Sequence, residues 1–438
     1  MLSSERLIEL ARAELVQLEQ EGRHVADLKQ QLARIEVLPP PHASEALSAF
    51  FEAAASLPTR EDWQYEEPSD LDEIRRQRPS GPRRLRIPTT EVLGERILGA
   101  WLGRCAGCML GKPVEGQTGG NIEALLRAAG AWELDDYFPP IPSPPENLAY
   151  PPPDSALLRG NVTRAVRDDD TDYTILGLHI LEEKGWDFAP RDVAEQWLSH
   201  FPYYCVYTAE REAYRNFVMD IWPPASAAHI NPFREWIGAQ IRADAWGYAA
   251  PGWPEKAAEF AWRDACISHT KNGIYGEMFF AALVAAALAT NDLQEAIAAA
   301  AAEIPARCRL RECIDDCLTW CAEDDHWQTT WERVNAKYGH YHPVHTVNNA
   351  ALVLMGLLHS GGDFTRAICI AVMGGWDTDC NGATAGSVMG ALLGAGSIPS
   401  RWVEPLNDTL ESSLQGMNVN RISELASRTL AVALRILR

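Results

Sequence analysis

The sequence of 438 residues predicts an all-α fold, and three observations support that prediction. Apolar residues recur at helical spacing through a long series of Ala- and Gly-rich segments. No set of alternating β-branched runs indicates strands. No fixed-period repeat indicates a solenoid. We therefore expect an N-terminal helical extension and linker over residues 1–90 and one large all-α domain over residues 91–438.

Two amphipathic stripes lie within residues 1–37. One runs from Ile8 to Leu18 and the other from Val25 to Ile35, with Gly22 between them. A helical hairpin fits this pattern, and the prolines at 39–41 are expected to end it. The pattern is equally consistent with a hairpin that packs on its own domain and with a dimerisation arm.

A short helix, Glu45–Leu57, is predicted next, followed by a charged and Pro-containing linker. The small basic cluster of Arg83, Arg84 and Arg86 in this linker is expected to be solvated.

Most of the remaining chain is predicted to be helical, apart from a Pro-rich interruption over residues 134–167. A Pro-rich segment of this length inside a domain is usually functional or disordered, so we expect it to form a wall or lid of a site. The predicted helices after it are Tyr173–Gly185, Asp192–His200, Pro254–Ser268, Gly276–Ala289, Asp292–Glu303, Leu310–Glu323, Thr346–Ser360, Phe364–Gly374, Asn381–Leu393 and Ser423–Leu437.

The chain is acidic, with 39 Lys and Arg against 60 Asp and Glu, a formal net charge of −21. This charge argues against charge-driven binding to nucleic acid or to an anionic membrane, because both need a basic surface. It does not exclude an anionic small ligand if metal ions supply local positive charge.

The N-terminus has no signal-peptide core, and the longest apolar stretch, Met278–Thr290, is too short to span a membrane. We expect a cytoplasmic protein. The stripe of Cys313, Cys317 and Cys321, like the pair Cys105 and Cys108, fits buried core residues better than a zinc site.

Two acidic clusters stand out, and each opens a predicted helix. The first is Asp168, Asp169 and Asp170, followed by Asp172. The second is Asp377-Thr378-Asp379, which follows Gly374, Gly375 and Trp376. Adjacent carboxylates repel one another, and a divalent cation relieves that repulsion more directly than a helix dipole does. Hard oxygen ligands suit Mg²⁺, Mn²⁺ or Ca²⁺.

Each cluster alone could be a solvated helix cap, but two of them facing each other would hold two cations and could activate a water or a sugar hydroxyl. A third motif precedes both clusters: Gly99, Gly103, Gly107 and Gly111 recur every four residues. They form one helix face that another backbone or a ligand can approach closely. Pro113 then ends the helix just before Glu115.

Taken together and in this order, the three motifs over residues 91–400 resemble the ADP-ribosylglycohydrolase family. Gly99 to Glu115 match part of its opening Gly-rich pattern, Asp168 to Thr171 its T-D-D-T element, and Gly375 to Asn381 its G-G-D-T-D-[TS]-N element. The segment around Ser268-His269 is similar to the family's Ser/Thr-His motif.

The resemblance implies a compact orthogonal helical bundle, a binuclear centre with two Mg²⁺ (or Mn²⁺), and hydrolysis of the bond between ADP-ribose and an acceptor. An ADP-ribosylated protein or small molecule is the implied substrate. The implied residues are the metal ligands Asp168, Asp169, Asp170, Asp377 and Asp379, the catalytic residues Glu115, Asp170 and Asp379, and the substrate-binding residues Gly107, Gly238, His269, Asn272, Gly273, Tyr275, Gly276 and Trp376.

Four positions depart from the family pattern. Asp168 replaces a ligating Thr, Cys380 a Thr or Ser, Cys108 an Asp, and Trp376 a Gly. These changes keep the carboxylates of both clusters but put the substrate in question.

Two alternatives therefore stay open. One is a metal-dependent glycosidase acting on another N- or O-ribosyl substrate, such as a nucleoside derivative. The other is a non-catalytic ADP-ribose-binding or crystallin-like protein. The acceptor, the oligomeric state and the role of residues 1–90 do not follow from the sequence.

Overall fold

A computed structural model describes residues 3–437. Residues 1 and 2 of the predicted N-terminal extension and residue 438 of the predicted all-α domain lie outside the described residues. Residues 3–57 contain three helices, α1 (Ser4–Gln20), α2 (Ala26–Ile35) and α3 (Pro40–Ser56). Their apolar faces enclose a small core of their own, which includes Leu15, Leu28 and Phe50. The two predicted amphipathic stripes are confirmed. The helix predicted over Glu45–Leu57 begins earlier than expected, at Pro40, because proline is tolerated in the first turn of a helix.

The linker over residues 58–89 is a packed strap that contains the short helix α4 (Leu71–Gln77). In its basic cluster, Arg84 and Arg86 are exposed, as predicted, whereas Arg83 is half-buried. The Arg83 guanidinium donates to the Glu303 carboxylate at 2.8 Å, and the Arg84 guanidinium lies 3.3 Å from the ring centroid of Trp253. These two contacts hold the strap on the main domain.

The rest of the described chain, residues 90–437, is built from helices and confirms the all-α prediction, with one small antiparallel hairpin, β1 (Thr409–Glu411) and β2 (Val419–Arg421). The helices are α5 (Thr90–Gly111), α6 (Gly119–Ala128), α7 (Asp169–Lys184), α8 (Pro190–His200), α9 (Thr208–Val218), α10 (Ala243–Ala249), α11 (Pro254–Ala265), α12 (Asn272–Ala287), α13 (Leu293–Ala301), α14 (Arg309–Glu323), α15 (Trp327–Tyr338), α16 (Thr346–His359), α17 (Phe364–Met373), α18 (Thr378–Leu393), α19 (Ser400–Val403) and α20 (Ile422–Ile436).

Helices α5 and α18 form the central contact of the domain. They run antiparallel with their backbones touching: a Cβ on Gly103 would lie 2.0 Å from the carbonyl oxygen of Gly386, and one on Gly107 would lie 1.9 Å from that of Gly382. This approach is open only to glycine. It brings the C-terminal end of α5 beside the first turn of α18, where the second acidic cluster lies.

Irregular backbone occupies two stretches rather than the single one predicted. The Pro-rich stretch packs on the core, where the Tyr137 hydroxyl donates to the carbonyl oxygen of Trp402 at 2.7 Å. A second stretch over residues 219–242 contains only short 3₁₀ turns. It was missed because its many aromatic and small residues show no clear period.

Cys105, Cys313 and Cys317 are buried in the core, as expected. Among the helices of residues 3–437, none is both long enough and apolar enough to cross a bilayer.

Candidate functional site

A cavity of about 350 Å³ lies where the helices carrying the two acidic clusters meet the second irregular stretch. It is lined by Lys112, Glu115, Arg167, Asp168, Asp169, Asp170, Tyr207, Thr208, Glu210, Trp236, Ile237, Gly238, Ile241, Val344, Asp377, Asp379 and Cys380. The structure therefore brings together Glu115 and all five predicted metal ligands. The Pro-rich residues before Arg167 do not line this cavity, so their predicted role as its wall is wrong.

The first acidic cluster forms the N-terminus of α7. Asp168 is the N-cap, and its Oδ1 accepts from the backbone N–H of Asp170 at 3.0 Å, which starts the helix earlier than predicted. The buried Arg104 on α5 donates to the carbonyl oxygen of Asp170 at 2.6 Å and to the Asp244 carboxylate at 2.6 Å. Arg104 thereby anchors the first turn of α7 to α5 while the Asp170 side chain stays free of a strong ion pair.

The second acidic cluster forms the N-terminus of α18. Asp377 is the N-cap residue, but its side chain makes no capping bond and remains available. The Asn349 amide oxygen accepts from the backbone N–H of Asp377 at 3.2 Å and from the Asn381 side chain at 2.8 Å. The Thr378 hydroxyl donates to the carbonyl oxygen of Gly111 at 2.8 Å and so ties this turn to α5.

Glu115 follows a 3₁₀ turn, Lys112–Val114, that continues α5. Its loop pairs with the backbone of Trp376: the Gly116 N–H donates to the Trp376 carbonyl at 2.8 Å, and the Trp376 N–H donates to the Gln117 carbonyl at 2.8 Å. Trp376 adopts a φ of 66°, unusual for a bulky residue, in order to make this pairing. The pairing places the exposed Glu115 side chain beside Asp377 and Asp379.

Three sets of acidic or thiol side chains have ligand atoms within 4.8 Å of one another: Glu115 with Asp377 and Asp379, Asp170 with Asp379 and Cys380, and Cys108 with Asp168 and Asp170. Oδ1 of Asp170 and Oδ1 of Asp379 are buried with no hydrogen-bond donor. A buried carboxylate oxygen without a partner is costly. A hard divalent cation would satisfy both atoms, so the residues present fit such an ion.

The pKa values reflect the same shortage of positive charge. Burial, and then the Asp168 carboxylate, raise the pKa of Asp379 and of Asp170 well above the usual range. Burial and the Asp377 carboxylate raise the pKa of Glu115.

Asp168 differs from the other four aspartates of the cavity, because the ammonium of Lys112 contacts its Oδ2. Burial alone would raise the pKa of Asp168, but Lys112, the backbone N–H of Asp170 and Arg167 together outweigh burial and hold the pKa below the usual value.

Apart from Gly238, the opposite wall of the cavity comes from residues that were not predicted from the sequence. Gly238 faces Glu210, and a Cβ there would lie 1.9 Å from a carboxylate oxygen of Glu210. The Arg242 guanidinium donates to Glu210 at 2.9 Å. Burial, opposed by Arg242, raises the pKa of Glu210 to about 7. The aromatic part of this wall is Trp236, whose ring stacks on His342 with centroids 4.1 Å apart.

Of the eight predicted substrate-binding residues, only Gly238 lines the cavity. Gly107 packs against Gly382 between the central helices. Trp376 contributes backbone bonds, as described above. His269 lies behind the wall, 4.0 Å from Glu210, and accepts or donates a 2.8 Å hydrogen bond with Ser268.

The other four of these residues lie at the start of α12, behind the same wall. The Tyr275 hydroxyl contacts the Pro68 carbonyl of the strap, and the Asn272 side chain donates to Glu235 at 2.8 Å. Gly273 and Gly276 pack under Arg234 and Thr346. These positions support the wall from outside the cavity.

Helix α1 also supports this wall. The buried Arg234 guanidinium donates to Glu14 at 2.7 Å and to Glu21 at 2.8 Å. Gln17 donates to Glu235 at 2.7 Å. Arg234 and Glu235 directly precede Trp236, so the N-terminal helices pack on their own domain next to the cavity.

Several residues of the site were not singled out from the sequence, chiefly Arg104, Lys112, Tyr207, Glu210 and Trp236. Lys112 lies four residues after Cys108, on the same helix face, and that spacing could have placed it in the site. Glu210 and Trp236 belong to segments without a motif, and no signal in the sequence pointed to them.

Comparisons with known proteins identify the family. The family model described as ADP-ribosylglycohydrolase matches residues 89–435. A solved structure described as an ADP-ribosylglycohydrolase-related protein complex is 21% identical, covers 78% of this chain and 99% of its own, and superposes with a TM-score of 0.47. The search of curated protein sequences gave no match. The family assignment rests on the sequence model, which spans most of the chain.

Proposed function

Since this chain belongs to the ADP-ribosylglycohydrolase family, a family of glycosidases, we propose that it hydrolyses the glycosidic bond between ADP-ribose and an acceptor. Mg²⁺ is the proposed cofactor, held by the carboxylates of the two acidic clusters. The observation that carries this proposal is the pair of buried, unpartnered oxygens on Asp170 and Asp379, within one cavity that Glu115 also lines.

The proposed ligands are Asp170, Asp377 and Asp379, with Asp169 lining the same cavity. Bound divalent ions would supply Lewis-acid stabilisation of the charge that develops at the ribose during bond cleavage. Arg104 and Asn349 hold the two helix N-termini that present these ligands, so the geometry is set before substrate arrives.

Glu115 is the proposed acid/base residue. It is the exposed member of the carboxylate group with Asp377 and Asp379, so both water and the leaving group can reach it. In a reaction with an oxocarbenium-like transition state, a carboxyl group at this place moves the proton of the attacking water or of the leaving atom.

The size of the cavity supports a ribosyl group as the part of the substrate enclosed. About 350 Å³ is near the lower end of the usual range for ligand sites. The adenosine and phosphate groups would then extend past Arg167 and Tyr207 at the cavity edge.

The direct test is release of ADP-ribose from arginine- and serine-linked ADP-ribosyl peptides, followed by mass spectrometry with Mg²⁺ and with EDTA. We expect turnover only with Mg²⁺. Asp379→Asn should abolish turnover and Mg²⁺ binding together, and Glu115→Gln should lower kcat by about 10²–10⁴-fold. Asp325→Asn and Glu332→Gln, at exposed positions without ion pairs, are the matched controls.

Three results would contradict parts of this proposal. Turnover that survives Asp379→Asn would refute the metal assignment. Cleavage of nucleoside derivatives, with ADP-ribosyl peptides left intact, would favour the alternative glycosidase. Binding of ADP-ribose without any turnover, measured by calorimetry, would favour the non-catalytic alternative.

A further inference from the structure

Lys112 brings a positive charge into the acidic cavity. It follows directly after Gly111, the last residue of α5, and its side chain is 24% exposed. Its ammonium contacts Oδ2 of Asp168, a residue that is almost fully buried. Cys108, one turn earlier on the same face, lies in a set with Asp168 and Asp170. This corner of the cavity thus contains a thiol, two carboxylates and the Lys112 ammonium, with the Arg104 guanidinium 3.6 Å from Oδ1 of Asp170.

Both oxygens of Asp168 already have donors within the protein. Oδ1 accepts from the backbone N–H of Asp170 at 3.0 Å, and Oδ2 faces Lys112. In contrast, Oδ1 of Asp170 and Oδ1 of Asp379 are buried without any donor. The unmet demand for a cation is therefore greatest at Asp379 and next at Asp170, where the Arg104 guanidinium lies 3.6 Å from Oδ1, beyond hydrogen-bond distance.

We propose that Lys112 is a resident cation of the metal centre and that Asp168 serves to position Lys112 instead of ligating a divalent ion. The inference rests on the proposed function only in assuming that the cavity binds a divalent cation. It reverses the expectation from the sequence, in which Asp168 is a metal ligand.

The two roles of Asp168 predict different results in a double-mutant cycle. Without the Asp168 charge, Lys112 is left unpaired and repels a nearby divalent ion, so Asp168→Asn weakens binding. Without the ammonium, Asp168 is left as a free anion, so Lys112→Met strengthens binding. If Asp168 only positions Lys112, removing both charges restores binding. If Asp168 is a ligand, removing both leaves binding weak.

The experiment is calorimetric titration of the full-length protein with Mn²⁺ alone, so it does not depend on turnover. We expect Asp168→Asn to bind Mn²⁺ about tenfold more weakly and Lys112→Met about tenfold more tightly than wild type, with the double variant within about threefold of wild type. Asn keeps the oxygen that caps α7, so folding should survive. Lys112→Gln is the second variant if Lys112→Met fails to fold.

Lys184→Met with Asp192→Asn is the matched control. This pair also joins a lysine to a helix-capping aspartate, at 3.1 Å, but lies away from the cavity lining. Both variants and their combination should leave Mn²⁺ affinity unchanged.

A double variant that binds as weakly as Asp168→Asn overturns the inference and makes Asp168 a ligand. Weaker binding by Lys112→Met overturns it as well. If wild-type protein does not bind Mn²⁺, the proposed metal centre fails, and the inference fails with it. A wild type that binds, combined with an unrescued double variant, refutes the inference alone.

Discussion

The contact between α5 and α18 gives the sharpest test of how packing sets the site. In Gly107→Ala, the new Cβ would lie 1.9 Å from the carbonyl oxygen of Gly382, whereas such contacts are essentially never shorter than 3.0 Å. The helices must therefore separate locally by at least 1.1 Å, the difference between these distances. The three nearest atoms all belong to the backbone of Gly382 and Ala383, so no side chain can move aside.

The cost of this separation follows from two opposing effects. Overpacking a close contact destabilises a protein by about 1–3 kcal/mol, and alanine offsets about 1 kcal/mol of this through its better helix propensity. The effect on activity should be larger, because a misplacement of about 1 Å at a catalytic group costs about 10²-fold in rate. Glu115 follows α5 and Asp379 lies on α18, so the separation changes the distance between them.

The assay combines thermal unfolding, Mn²⁺ titration and the turnover assay on Gly107→Ala. We expect a melting temperature lowered by a few degrees and Mn²⁺ binding weakened by about tenfold. Gly120→Ala is the matched control, since a Cβ added to this helical glycine would meet no atom within 4 Å. If Gly107→Ala keeps wild-type melting temperature and Mn²⁺ affinity, the argument that helix contact sets the ligand geometry is refuted.

Three further predictions concern charge. Glu21, paired with Arg234 and Lys271, has its pKa lowered to about 2: burial opposes this shift, and the two cations outweigh burial. Because the folded pKa lies below the unfolded value, the stabilisation of about 3 kcal/mol is complete above pH 4.5 and is lost as the pH falls towards 2. Urea unfolding should therefore show Glu21→Gln destabilised at pH 7 and close to wild type at pH 2, and equal stability at pH 7 would contradict this. Glu210 has the opposite shift, a raised pKa of about 7, so its ionisation destabilises the fold as the pH rises from 4.5 through 7. Glu210→Gln should consequently be more stable than wild type at pH 8 but not at pH 4, and a loss of stability at pH 8 would show that the ion pair with Arg242 dominates. Finally, Mg²⁺ at 100 times its dissociation constant should stabilise the protein by about 2.7 kcal/mol, which is measured as a raised melting temperature that EDTA reverses. Asp379→Asn should lose this response. A full response in that variant would show that Mg²⁺ binds elsewhere.

The acidic part of the candidate site was predictable because its residues are contiguous in sequence. Each acidic cluster forms one turn at a helix N-terminus, Asp168 to Asp170 in α7 and Asp377 to Asp379 in α18. Carboxylates in one turn are close together in the sequence, so the sequence alone reveals the cluster. The helical periods likewise predicted most of the helices. Glu115 could be placed because a proline ends the glycine-rich helix just before it.

The opposite wall of the cavity was not predictable in the same way. A motif such as Ser268-His269 marks a segment as unusual but does not show which side of a wall its side chains face. Residues of that segment pack behind the cavity, and Glu210 and Trp236 fill the positions in front of them. The partner of Gly107 lies in α18, far along the chain, so close packing and ligand approach could not be told apart beforehand.

The buried guanidinium groups beside the cavity have a practical consequence. Arg234 takes its carboxylate partners, Glu14 and Glu21, from the first helix, and Arg309 donates to Glu67 of the strap at 2.8 Å. These acidic residues all precede residue 89, where the family match begins. A fragment trimmed to the family boundary would leave Arg234 without Glu14 and Glu21, and Arg309 with only Glu235 of its two carboxylate partners. For expression and crystallisation, we therefore expect a chain that keeps the extension and strap to be more stable than one that begins at residue 89.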